Sequence, residues 1–154
     1  MNKLLLTAIF VIGCAAFSGI QAQEKKLERK DLPKAVEETV KKESKNATIK
    51  GFSTEKEDGI QTYEVELVVN GHSKDVSMDA KGKVLEVEEE VSLDSLSNEV
   101  KNGLMAGAGT GTITKVESLT KKGKLVAYEA QVTNGKKRSE VQVGPEGKKL
   151  ARPE

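Results

Sequence analysis

Few residues in this chain could do chemistry. His72 is the only histidine and Cys14 the only cysteine. A Ser-His or Cys-His nucleophile pair would have to use His72. His72 directly follows Asn70-Gly71, a dipeptide that favours a tight hairpin turn, so its surroundings read as an exposed turn. Ser53-Thr54-Glu55-Lys56 and Ser118-Leu119-Thr120-Lys121 both spell Ser-x-x-Lys. In penicillin-recognising enzymes that motif opens a helix and works with Ser-Asp-Asn and Lys-Thr-Gly elsewhere. Here both stretches have strand-like patterning, and neither companion motif occurs. A calcium loop needs acids at alternate positions and a fixed glycine, whereas Asp79-Ala80-Lys81-Gly82 puts a lysine where a ligand should stand. Gly107 to Gly111 lacks the Gly-Lys-Ser/Thr end of a phosphate loop, and reads as a loosened helix-to-strand link. No catalytic residue, metal site or cofactor is expected.

What remains is acidic. In Ile60 to Gly71, Tyr63, Val65, Leu67 and Val69 alternate with Thr62, Glu64 and Glu66, the pattern of a strand with one dry and one wet face. The same alternation returns in Leu125 to Gly135, with Tyr128, Ala130 and Val132 dry and Glu129, Gln131 and Thr133 wet. Extending the pattern to the neighbouring strands collects Glu64, Glu66, Asp75, Glu86 and Glu88 on one exposed sheet face, with no lysine expected among them. Glu140 and Gln142 join Glu129 on the corresponding face further along. The plain alternative is that strands need a solvated side, and that the run from Glu86 to Glu90 is a strand end leading into a linker. If the face is functional, it suits a cationic protein partner.

The elements that position these residues follow in order. Lys3, the apolar run Leu4 to Ile12, itself too short to span a bilayer as a helix, and the small residues up to Ala22 form an export signal, 1–22. Val11-Ile12-Gly13-Cys14 offers the alternative of a lipid anchor at Cys14. No other stretch could cross a membrane, and the location expected is periplasmic or extracellular. Beyond Ala22, acids and bases balance at 24 each, which argues against nucleic acid as a partner. The balance is uneven: residues 23–90 hold 17 acids and 13 bases, residues 91–154 hold 7 and 11.

Residues 23–30 are expected to be a flexible arm. Asp31 fits a helix N-cap, and Leu32, Val36 and Val40 mark the apolar stripe of a helix reaching about Glu43. Strands follow over Ala47 to Lys56, the stretch Ile60 to Gly71 closed by Asn70-Gly71, His72 to Asp79 and Lys83 to Glu90. Asp58-Gly59 makes the first turn, and Leu85 and Val87 point inward in the last strand. Then the pattern restarts. Ser95, Leu96, Val100 and Leu104 stand 64 residues after Asp31, Leu32, Val36 and Val40, and Val141, Val143, Gly147 and Leu150 stand 65 after Val76, Met78, Gly82 and Leu85. Recurrence of core positions and turn glycines together points to an internal duplication. The fold class expected is α+β: a tandem repeat, 31–90 and 91–154, of a helix followed by a four-stranded antiparallel sheet, with the helices on one sheet face.

Leu-Pro-x-x-Val, Ile-x-x-Phe, Asp-Gly, Tyr-Glu-Val-Glu-Leu and Asp-Ala-x-Gly-Lys-Val-Leu-Glu, in that order, resemble the PepSY-like domains, also described as β-lactamase-inhibitor-like. Residues 32–90 match, and 92–150 match as a second copy, with Pro33 answered by Ser97 and Asp79 by Gly144. The resemblance implies an exported, non-enzymatic binding or inhibitory module. Its partner would be a protein, with an exported hydrolase such as a peptidase as the candidate. The alternative is a structural or sensory envelope protein that inhibits nothing. Strong inhibitor interfaces draw on buried Trp, Tyr and Arg anchors. Trp is absent here and both tyrosines are expected in the core, so affinity would rest on charge and shape and weaken with salt.

Overall fold

The computed structural model describes residues 24–57 and 59–154. The export signal, Cys14 and the turn residue Asp58 lie outside the described residues. The chain forms one eight-stranded sheet in which each strand is antiparallel to its sequence neighbour. The strands are β1 (Lys25–Lys26), β2 (Thr48–Glu57), β3 (Ile60–Val69), β4 (His72–Asp79), β5 (Val84–Glu90), β6 (Thr112–Lys121), β7 (Lys124–Asn134) and β8 (Lys137–Val143). Helix α1 (Lys34–Glu43) precedes β2, and α2 (Asn98–Ala108) precedes β6.

This corrects the expected fold class. The sheet is continuous, not a tandem repeat of two four-stranded sheets. β5 pairs with β6 from Glu86 opposite Lys121 to Glu90 opposite Glu117. A separate four-stranded sheet would leave β5 and β6 as edges with unpaired N–H and C=O groups, and joining them satisfies both. The part after α2 supplies three strands only. Past β8, Lys149 makes a single bridge to Val143. Ahead of α1, the described residues of the expected arm make contacts with the sheet. Lys25 and Lys26 pair with Thr54 and Ser53, Leu27 N–H donates to Phe52 O at 2.9 Å, and Leu27 packs on the core.

Both helices cover the same side of the sheet. Val36 and Val40 of α1 pack with Phe52, Val65, Leu67, Val76 and Met78. Val100 and Leu104 of α2 pack with Val116, Ala130, Val132 and Val143. Tyr63 and Tyr128 only flank these clusters, half-buried. The helices start later than expected: Asp31 and Ser95 lie in 3-10 turns, and Pro33 and Ser97 hold the cap positions. The three-residue spacing of Ile49 to Phe52 and of Ile113 to Val116, odd for strict alternation, is absorbed by bulges at Ile49/Gly51 and Ile113/Lys115. A further bulge at Ser77/Met78 puts Val84, not Leu85, against the core beside Val87. Gly107 is inside α2 rather than in a loose link, and the helix ends at Gly109 with φ +58°.

Candidate protein-docking face

The side of the sheet away from the helices is built by cross-strand rows. Ser53, Glu64, Ser77, Glu86 and Lys121 stand opposite one another from β2 to β6. Gly51, Glu66, Asp75, Glu88 and Leu119 form the next row, and Glu90, Glu117, Glu129 and Gln142 the one after. All five residues expected on this face, Glu64, Glu66, Asp75, Glu86 and Glu88, are therefore brought together. Gly51 matters here because a Cβ would stand 3.2 Å from Glu66 Oε1.

The face is less wet than the alternation implied. Glu64, Glu66, Asp75, Glu86 and Glu88 are half-buried, and Leu119, Ala127 and Glu117 among them are buried. Carboxylate oxygens of Asp75, Glu88 and Glu117 lie within 4.8 Å of one another. A small cavity of about 10 Å³ opens between Glu88, Glu117, Leu119 and Glu129, close to the space one water needs. Burial, reinforced by Asp75, pushes Glu64 up to about 7. Burial raises Asp75 to about 6, against the pull of Lys115. Burial, with Glu117 and Glu86 beside it, raises Glu88 to about 8. Glu129 and Glu140 are raised for the same first reason, with Gln142 Nε2 donating to Glu129 Oε2 at 2.6 Å and easing the former. The rise is what like charges crowded in a poorly solvated patch must show.

Two cations temper the patch, against the expectation of none. Lys115 Nζ lies 2.6 Å from Glu117 Oε1, and Lys121 Nζ lies 3.5 Å from Glu86 Oε2. Lys115, Glu117, Leu119 and Lys121 alternate in the sequence, but the bulge before Lys115 changes the parity, and only by placing it could they have been assigned to this face. Other candidates are separated. His72 is exposed at its turn, 3.3 Å from Glu90 Oε1. On a strand, residues three apart face opposite sides, so neither Ser53 and Lys56 nor Ser118 and Lys121 can work together. Ser118 Oγ donates to Glu89 O at 3.3 Å.

No family model matches the chain, and no curated protein is similar to it. Solved structures are. A DUF2874-family protein from Bacteroides ovatus is 23% identical with a TM-score of 0.60, over 77% of this chain and 84% of that one. A BLIP-like protein from Bacteroides fragilis is 23% identical with a TM-score of 0.56, over 77% and 83%. A protein from Bacteroides eggerthii, described provisionally as periplasmic, is 20% identical with a TM-score of 0.63, over 77% and 86%. The chain is similar in fold to these DUF2874-family and BLIP-like proteins.

Proposed function

We propose that the chain is an exported, non-catalytic binding module that docks a protein partner on the acidic sheet face, through Glu64, Glu66, Asp75, Glu86 and Glu88. An exported hydrolase such as a peptidase is the partner class that the PepSY-like resemblance favours, read as two related copies over 31–90 and 91–154. The BLIP-like description of one structural neighbour supports protein binding in the same sense. One observation carries the reading: these carboxylates are crowded on an open face, with Glu64, Asp75 and Glu88 raised to about 7, 6 and 8. Crowding of this kind costs stability when the partner is away. A cationic partner removes that cost by stabilising the charged forms.

The test follows from the titration. A cationic partner lowers the raised pKa values, so binding releases protons and tightens as pH rises from about 6 to 8. Calorimetry with an isolated partner in buffers of different ionisation enthalpy measures that release. Replacing Glu64, Glu66 and Glu86 together by Gln should slow association at low salt and leave the fold intact. Binding without proton release and indifferent to the triple substitution would leave the face as solvated surface.

A further inference from the structure

The two margins of the sheet differ. β1 lies along part of β2, whereas β8 has, among the described residues, only the bridge from Val143 to Lys149 outside it. That bridge matches, 65 residues on, the pairing of Met78 with Val84 where β5 starts along β4. Along β4 the strand continues, with Glu86, Val87, Glu88 and Glu89 opposite Ser77, Val76, Asp75 and Lys74. Along β8 it stops. Pro153 stands where Glu88 does, and proline has no N–H to give a ladder. The N–H of Glu154 turns instead to Gln142 Oε1 at 2.9 Å. Among the described residues, no strand covers the outer edge of Ser139 to Gln142.

The filled slot shows what the open one would take. At the end of β5, Glu90 accepts the Ser73 N–H at 3.0 Å and lies 3.3 Å from His72 Nδ1. The corresponding positions beside β8 are Arg138 and Lys137, both exposed, and neither has an ion-pair partner among the described residues. Toward the helices, Val87 meets Val76 in the filled slot. In the open one Val141 is half-buried under α2, close enough that a Cβ on Gly107 would stand 2.3 Å from its Cγ1. Exposed lysines on an edge also deter pairing between identical chains, since a second β8 would bring the same cations.

We propose that the outer edge of β8 accepts an extended acidic segment of a partner protein by strand addition, with a carboxylate held by Lys137 and Arg138 and an apolar residue set beside Val141. Main-chain hydrogen bonds would supply affinity and the alternating side chains specificity. This surface is distinct from the acidic face, and the two stand or fall separately.

The probe is a blocked peptide with the β5 sequence, Val84 to Glu90, added to the full chain and followed by amide NMR. Shift changes and slowed amide exchange are expected over residues 139–142. Lys137→Glu combined with Arg138→Glu, both on exposed side chains, should weaken the peptide at least tenfold. A peptide with every Glu replaced by Lys should not bind there. The proposal is overturned if millimolar peptide leaves 139–142 unmoved, or if the changes centre on Glu64 and Asp75. Indifference to the double substitution, or sedimentation showing a dimer paired through β8, overturns it equally.

Discussion

The two helices meet the sheet's turns in different ways. In the first half, Gly82 (φ +75°) sits so close under α1 that a Cβ would stand 2.3 Å from Ala35 O. In the second, Gly147 (φ +76°) lies as close under α2, 2.1 Å from Glu99 O by the same measure. The turns are alike, but the helix residues that receive them are not. Thr39 donates its hydroxyl to Gly82 O at 2.7 Å. Gly103, 64 positions later, has no side chain, and a Cβ there would stand 2.0 Å from Gly147 O. One contact is held by a hydrogen bond and the other by the absence of a side chain. The same backbone path is thus reached by two chemistries that cannot be exchanged.

Exchanging them should give the largest effect. Gly103→Thr drives a Cβ into a backbone carbonyl that can retreat only by moving the turn, and should cost on the order of 3 kcal/mol, as overpacking does. Thr39→Gly loses one hydrogen bond, about 1 kcal/mol, and replaces a poor helix former by a poorer one, about 0.3–0.5 kcal/mol more. Urea unfolding of both variants checks the order. A neutral Gly103→Thr would mean that the second turn is free to withdraw and that the two halves are not held differently.

The strands are the part of this fold that local pattern encodes well. β3 and β4 fall on the alternating stretches that end at Asn70-Gly71 and Asp79, because one buried face imposes a period of two and the turns demand positive φ, as at Asn70 and Gly71. Those alternations also suffice to assemble Glu64, Glu66, Asp75, Glu86 and Glu88. Three things escape them. Bulges reverse parity, which hid Lys115 and Glu117 and exchanged Leu85 for Val84. The union of β5 with β6 is a long-range choice between edges, which no local spacing records. Pro153 has no N–H to give a ladder where β5 has Glu88, and among the described residues the second half has three strands.

The halves should also differ in how they answer to pH. Glu64, Asp75 and Glu88 of the first half have folded pKa values of about 7, 6 and 8, against about 4 for unfolded carboxylates. The folded state holds these protons more tightly. Their contribution to stability is complete below about pH 4 and is lost as pH rises through 6 to 8. Glu37, lowered by Arg29, and Glu90, lowered by the Ser73 N–H, act oppositely, and their contribution is lost only in more acid solution. Melting temperature should therefore rise as pH falls from 8 to 5. The gain should be on the order of 2 kcal/mol for the three, held down by the solvent that screens the open face. Replacing the three by Gln, Asn and Gln should flatten the profile. The same change at Glu129 and Glu140 should do less, because Glu129 is eased by Gln142 and Glu140 is exposed. A melting temperature constant from pH 5 to 8 would remove the distinction.

The smallest expected difference lies at the helix starts. Ser97 Oγ accepts the Val100 N–H at 3.3 Å, which satisfies one of the donors that the first turn of α2 leaves open. Pro33 holds the same place before α1 and offers no side-chain acceptor. The bond at Ser97 is long, so Ser97→Ala should cost only about 0.5–1 kcal/mol, the lower part of the range for lost caps. Glycine tolerates the cap backbone and leaves the donors open to water, so Ser97→Gly should cost a few tenths, about 0.3 kcal/mol. If the hydroxyl is the cause, alanine is therefore worse than glycine. The reverse order in thermal unfolding would show that the backbone conformation at Ser97, and not its hydroxyl, starts α2, and the two helix starts would then differ in sequence alone.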